Sequence, residues 1–177
     1  NGNSISFEEV NLMLREYSES SKLSTNFKKY EDDYLVIENP PFIIQNGHHE
    51  KSLFKTDEDI EIGIIKQYKK VLPHGYRFGF DLYSEEGNVV FRSFHDDFKA
   101  LSFGKDKILL KIIIPRNLLK EGTYHLEFIS GIHNIKWLIK DSISISIKVV
   151  NSHGLNSEYN DFRPGDIIQF VKYSLIK

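Results

Sequence analysis

The sequence predicts an all-β protein built as a two-sheet antiparallel β-sandwich. From Tyr34 onward, short apolar runs of period two recur along the chain, and turn-forming residues separate them without intervening helical segments. Thirteen Phe and nine Tyr supply the aromatic content that is typical of strands. Short strands at this spacing favour a sandwich over a barrel or an α/β sheet.

A corner in the segment Leu109–Ile129 is the most specific of these signals. An apolar run ends at Pro115, which cannot donate to a sheet ladder, and Gly122 can take the positive φ that a reversal needs. Tyr124 then begins a returning strand, where its ring can be buried and its hydroxyl can bind the corner backbone. This is the logic of the tyrosine corner in two-sheet sandwiches, so we expect Tyr124 and Gly122 to be structural.

Periodicity and turn signals also predict the order of elements along the chain. Ser6 and Glu9 form a capping-box pattern that begins a helix over residues 4 to about 20, and Ser18–Lys29 is polar and indicates a linker. We therefore divide the chain into residues 1–30, a helix and linker, and residues 31–177, the sandwich. Strands are predicted over residues 34–38, 42–45, 60–68, 76–83, 89–94, 108–114, 123–129, 135–139, 142–150 and 166–174.

Alternation within these strands separates a core face from an outward face. In Ser142–Val150 the isoleucines and Val149 predict the core, and the serines and Lys148 predict the wet face. With a hairpin loop at Ser84–Gly87, the central hairpin has predicted core residues Phe78, Phe80, Leu82, Val89, Phe91 and Ser93. Its predicted outward residues are Arg77, Asp81, Tyr83, Val90, Arg92 and Phe94. Trp137, the only tryptophan, shares a predicted face with Ile135 and Ile139 and is assigned to the core.

Composition and missing motifs exclude several classes of function. A net charge of −2 with both signs dispersed argues against a nucleic-acid partner and against a polybasic membrane patch. The absence of cysteine excludes disulfides, thiolate zinc sites and a cysteine nucleophile. The sequence also lacks a phosphate-binding loop, a Gly-x-Ser-x-Gly elbow and a His-Glu-x-x-His helix. We expect a soluble domain that is not an enzyme.

No cofactor or metal ion is predicted. Short acidic runs such as Asp57-Glu58-Asp59 lie beside turns, and we interpret them as solvated rather than as a calcium site, which needs six to eight converging oxygens. His48 and His49 are neighbours in a predicted loop and would point apart. The remaining histidines are scattered.

The outward residues of the central strands predict a ligand-binding face. Sugar hydroxyls favour charged groups that form paired hydrogen bonds, and sugar C–H faces favour aromatic rings. The same residue types would also occur on an ordinary solvated sheet face. The predicted glycan-binding residues are Arg77, Asp81, Tyr83, Arg92, Phe94, His125 and Glu127.

Five motifs then occur in order along the chain. They are an acidic turn into a strand at Phe54–Ile62, a hairpin at Phe78–Ser93, the corner from Ile114 to Tyr124, the strand Ile143–Val149 and a glycine-led strand at Arg163–Ile168. In order and spacing they resemble the C-terminal carbohydrate-binding domain of the ATP-binding subunit of O-antigen polysaccharide ABC exporters, the Wzt type.

This resemblance implies an immunoglobulin-like sandwich that binds exported, lipid-linked polysaccharide without catalysis. It also implies an ATPase domain upstream of residue 1 and a transporter membrane subunit as partner, on the cytoplasmic side and peripheral to the inner membrane. A homodimer in which the C-terminal strand exchanges between protomers is implied as well. Two alternatives fit the same residues: a protein-interaction sandwich and, less favoured, a glycoside-processing enzyme that uses carboxylates such as Asp81 and Glu127.

Overall fold

The chain folds into two β-sheets packed face to face, which confirms the predicted all-β sandwich. The computed structural model describes residues 27, 29–49, 53–97, 107–140 and 142–150, with backbone alone for residues 48–49. The predicted N-terminal helix, the first part of the linker and the last predicted strand lie outside these residues. The strands are β1 (Tyr30–Glu31), β2 (Leu35–Ile37), β3 (Phe42–Gln45), β4 (His48–His49), β5 (Phe54–Lys55), β6 (Ile60–Tyr68), β7 (Tyr76–Ser84), β8 (Val89–Phe94), β9 (Lys107–Ile114), β10 (Gly122–Ile132), β11 (Lys136–Ile139) and β12 (Ser144–Val150).

Each sheet is organised around one long strand. In the first sheet β9 pairs along one edge of β6, and β2 and β3 share the other edge. Strand β1 then pairs with β2, and β4 pairs with β3. In the second sheet β7 pairs along one edge of β10, and β12 and β11 share the other, with β8 beyond β7 and β5 beyond β12. These pairings are antiparallel except between β5 and β12.

The core lies between the two sheets and follows the predicted alternation. Strand β6 contributes Ile60, Ile62 and Ile64, and each is buried. From the second sheet, Phe78 on β7 stacks against Phe128 on β10 with ring centroids 6.0 Å apart. Period two predicted the burial of Phe78, Phe80 and Leu82 because β7 stays regular through the middle of the sandwich.

The predicted corner is present between β9 and β10. Tyr124 is buried, and its hydroxyl donates a hydrogen bond of 3.2 Å to the backbone carbonyl of Lys120. Gly122 has a φ of +155°, which side-chain-bearing residues rarely adopt. Tyr124 therefore ties the loop between β9 and β10 to the start of β10, as the sequence predicted.

The predicted faces are wrong on two strands, β8 and β11, and a β-bulge accounts for each error. Val90 is an extra residue between the pairs Leu82–Phe91 and Tyr83–Val89, so Val89 faces outward, 59% exposed, while Val90 packs against the core. Leu138 is an extra residue between the pairs Ser130–Ile139 and Gly131–Trp137. Trp137 is consequently on the outward face, although Ile139, two positions later, is buried.

Candidate functional site

All seven residues predicted for the site lie on one face of the second sheet. We call this the outward face; it consists of the side chains of β7, β8, β10, β11 and β12 that point away from the core. Glu127, Asp81 and Arg92 are aligned across β10, β7 and β8, and His125 is aligned with Tyr83 two residues further along. Arg77 and Phe94 occupy the other end of the same face. The sheet therefore brings together residues from three separate segments of the chain.

Asp81 is the centre of the polar half of this face. It is only 3% exposed, because Arg92 covers it and binds both of its oxygens, at 2.5 Å from Nε and 2.6 Å from Nη2. The Tyr83 hydroxyl lies 3.4 Å from the same carboxylate. Hydrogen bonding to Asp81 raises the pKa of the Arg92 guanidinium, so this cation is permanently charged and fixed in position.

His125 and Glu127 extend the polar half toward β12. The Nδ1 atom of His125 lies 2.8 Å from the Ser146 hydroxyl, and Glu127 is paired with Ser144. Burial, followed by the negative charges of Asp81 and Glu127, raises the pKa of the Tyr83 hydroxyl, which therefore remains a hydrogen-bond donor at neutral pH. The polar half thus presents hydrogen-bond donors and hydrogen-bond acceptors, both charged and neutral, on adjacent strands.

Arg77 and Phe94 form the beginning of an aromatic half. The Arg77 guanidinium lies 3.9 Å from the ring centroid of Phe94 and binds both oxygens of Asp96 from Nε, each at 2.9 Å. It also reaches Asp97 at 3.2 Å. Hydrogen bonding to Arg77 lowers the pKa of Asp96, so the ion pair persists well into the acidic range. The Phe94 ring therefore packs against a fixed cation.

Trp137 completes the aromatic half and was missed by the sequence analysis. It is 51% exposed and lies opposite Gly131, on the face that also carries His125 and Glu127. Between Trp137 and the pair formed by Phe94 and Arg77 runs an open cleft of about 350 Å³, which we call the aromatic cleft. Counting the hairpin register across the turn His133–Ile135 would have revealed this position, because it pairs Ile132 with Lys136 and Gly131 with Trp137.

The described residues offer binding groups rather than a metal centre. Among them, no group of three or more His, Asp or Glu side chains is placed to hold a metal ion. The outward face instead provides fixed ion pairs, hydroxyls and exposed rings, the groups that recognise a polar ligand with apolar C–H surfaces. The fold and the site define a largely antiparallel β-sandwich with an open outward face that is half polar and half aromatic.

Comparison with solved structures finds the same fold in the C-terminal domain of Wzt. That structure matches with a TM-score of 0.53 and 11% identity, covering 84% of this chain and 89% of the matched chain. The resemblance seen in the sequence motifs is therefore confirmed at the level of the fold. A putative β-galactosidase from Bacteroides fragilis gives a TM-score of 0.34 at 16% identity, covering 60% of this chain and 15% of its own, and supports no argument. No protein-family model and no curated protein sequence matches the chain.

Proposed function

We propose that this chain is a non-catalytic glycan-binding module of a polysaccharide ABC exporter, and that it recognises an O-antigen-type, lipid-linked polysaccharide on the outward face. The observation that carries the proposal is that the seven side chains predicted to form an outward binding set lie on one face of one sheet. The fold shared with the C-terminal domain of Wzt supports the same conclusion. Binding of this kind would give the exporter its substrate recognition.

The geometry of the polar half suits sugar hydroxyls. Arg92 uses Nε and Nη2 to hold Asp81, which leaves Nη1 outside this ion pair and available to a ligand oxygen. Glu127 lies opposite Asp81 on the neighbouring strand β10, and its carboxylate oxygens can accept hydrogen bonds from sugar hydroxyls. Because these groups lie on a sheet surface and not in a deep pocket, a polymer can lie across them and leave again, as export requires.

A charge-removing substitution tests this function. Glu127→Gln keeps the shape of the side chain, and we expect it to weaken glycan binding by about 1–3 kcal/mol, the range for losing a charged hydrogen-bond partner. A glycan array followed by isothermal titration calorimetry would measure it. Glu121→Gln, at an exposed carboxylate in the corner, is the matched control and should bind normally. A module that binds no glycan but captures a protein partner would contradict the proposal.

One structural observation favours a second candidate, a glycoside-processing enzyme. Asp81 and Glu127 are directly opposite each other on neighbouring strands, and paired carboxylates carry out glycoside hydrolysis. Against catalysis, both oxygens of Asp81 are bound by Arg92, so neither is directed at a substrate. Release of reducing ends from a bound polysaccharide, lost in Glu127→Gln, would establish the enzyme and remove the non-catalytic proposal.

The proposed assembly follows from the Wzt-type resemblance. We propose that residues 1–30 connect the sandwich to an upstream ATPase domain, which associates with a transporter membrane subunit at the cytoplasmic side of the inner membrane. In the residues that the structure describes, no helix is long and apolar enough to cross a membrane.

We also propose a homodimer that exchanges its C-terminal strands. The strand predicted over residues 166–174 would carry apolar side chains on both faces, and such a strand would need a partner that covers it. Exchange between two protomers is a simple route to a symmetric dimer. Removing the chain from Asn160 onward should convert the dimer into a monomer, as measured by light scattering. A truncated protein that remains a folded dimer would contradict strand exchange.

A further inference from the structure

The aromatic half of the outward face has the shape of a binding subsite. Trp137 on β11 and Phe94 on β8 are separated by two strands, and adjacent strands lie about 4.8 Å apart. Three spacings separate β8 from β11, so the two rings border a depression up to about 14 Å across, which Gly131 also lines. Ile135, which is also strongly exposed, borders the same depression. A soluble domain has no structural need to expose a tryptophan and an isoleucine side by side.

Two glycines make this shape possible. A Cβ atom at Gly131 would lie 2.8 Å from the carbonyl oxygen of Lys136 and 3.3 Å from Cε3 of Trp137. A Cβ atom at Gly79 would lie 2.8 Å from Cδ1 of Phe94 and 2.0 Å from the carbonyl oxygen of Ser93. Any larger residue at either position would displace the backbone of the neighbouring strand and the ring beside it. The glycines thus allow both rings to lie close to the backbone and leave the space between them open.

The charges around the aromatic cleft are already balanced. The Arg77 guanidinium is bound by Asp96 and Asp97. Lys136, which also borders the cleft, has its Nζ atom 5.4 Å from the ring of Tyr34, outside the cleft. The formal charges of Arg77, Lys136, Asp96 and Asp97 sum to zero, so a carboxylate or phosphate would gain little net attraction here and would still lose its hydration. An uncharged ligand avoids that cost of desolvating a charge.

We propose that the aromatic cleft is a subsite that holds one uncharged sugar ring of the glycan, stacked by its C–H face on the indole of Trp137. This inference rests on the proposed function. It adds where one sugar unit of the glycan binds and that this sugar unit is uncharged. Trp137 offers the largest aromatic face on the outward surface, and stacking requires only that face to be open. Arg77 acts as a positioning residue, because it fixes Phe94 as the opposite wall of the cleft.

Tryptophan fluorescence reports directly on this subsite, because Trp137 is the only tryptophan in the chain. The probes are neutral oligosaccharides of mannose, galactose, glucose and N-acetylglucosamine, an acidic galacturonate oligosaccharide, and any further glycan that binds on the array. We expect a saturable fluorescence change with the Kd that calorimetry gives, for neutral glycans only. Trp137→Ala should weaken binding about tenfold, equal to about 1.4 kcal/mol. Ile113→Ala, with a similarly exposed side chain (53%) on the first sheet, should bind normally.

The outcomes separate this inference from the function on which it rests. If a glycan binds and Glu127→Gln weakens it, while Trp137→Ala binds with full affinity and the fluorescence is unchanged, the function stands and the subsite is wrong. Tighter binding of the acidic oligosaccharide than of every neutral one would also overturn the subsite. If no glycan binds the wild-type protein, the proposed function fails and the subsite fails with it.

Discussion

Arg92 and Asp81 form an ion pair that is buried on one side and open on the other. Two N–H groups of Arg92 reach the two oxygens of Asp81 across β7 and β8, and the carboxylate is almost completely covered. The Arg92 side chain itself is 50% exposed. The pair therefore has a structural role beneath the surface, because Asp81 needs its cation, and a guanidinium edge remains available above the surface.

We predict that Arg92→Ala lowers both stability and glycan affinity. Its removal leaves the Asp81 carboxylate buried without its charged partner, which costs about 1–3 kcal/mol of unfolding free energy. Strand alternation alone places Arg92 outward and predicts little effect on stability, so the ion pair changes this expectation. Urea unfolding would measure the free energy, and calorimetry the glycan affinity, which we expect to fall by about 1–3 kcal/mol.

A matched control and a double variant identify the cause. Lys148→Ala removes an exposed cation from the same face, and we expect its stability to stay within about 0.5 kcal/mol of the wild type. In the Asp81→Asn background, Arg92→Ala should cost much less, because the buried charge is already gone. Equal costs in both backgrounds would mean that the ion pair does not stabilise the fold.

The corner at Tyr124 gives a second prediction. Tyr124→Ala removes a buried ring and should lower the unfolding free energy by about 3–5 kcal/mol, whereas Tyr124→Phe keeps the ring, loses the hydroxyl that binds Lys120 and should cost about 0.5–1.5 kcal/mol. Thermal melts of the two variants would test this order. A Tyr124→Ala protein with normal stability and lost glycan binding would make the corner a binding feature.

The sequence predicted the outward face well where strands pair residue for residue. Strands β7 and β10 are paired without interruption from Tyr124 to Ile132, so alternation placed Arg77, Asp81, Tyr83, His125 and Glu127 correctly. On β8, Phe94 pairs with Gly79 and Arg92 pairs with Asp81, in the regular part of the hairpin that ends at the bulge, and both residues were placed correctly. Regular pairing is what makes a period-two pattern informative.

The wrong assignments, at Val89 and Val90 on β8 and at Trp137 on β11, have one physical cause. A bulge adds a residue to one strand, and every side chain beyond it changes face. Neither extra residue, Val90 or Leu138, is a glycine that would have marked the irregularity in the sequence. The burial of Asp81 was equally hidden, because it depends on a neighbour across the sheet and not on the strand that carries it.

Lys66 on β6 is a core-facing lysine that the alternation of Ile62, Ile64 and Tyr68 places inside the sandwich. It is fully buried, and its Nζ atom lies 3.4 Å from the ring centroid of Phe78. Burial lowers the pKa of Lys66 well below its ordinary value of 10.5. In the unfolded chain the amine regains that ordinary value, so folding removes a proton at any pH between the two values.

We predict that this lysine makes the stability of the protein rise with pH. Between the lowered pKa and 10.5 the unfolded state binds one more proton than the native state, so raising the pH favours folding by up to about 1.4 kcal/mol per pH unit. Burial raises the pKa of Tyr68 and of Tyr76, which reverses the trend once unfolded tyrosines ionise near pH 10. The measurement therefore belongs between pH 7 and pH 9.

Lys66→Met tests this linkage because methionine fills a similar volume without a titrating group. We expect the variant to be more stable than the wild type at pH 7, with a difference that shrinks as the pH rises toward 9, in urea unfolding at each pH. Lys148→Met, at an exposed lysine, should follow the wild-type profile throughout. Parallel profiles for Lys66→Met and the wild type would mean that the native protein keeps Lys66 protonated over this range. The core would then hold a charged amine, and the pH dependence of folding would have to arise from other groups.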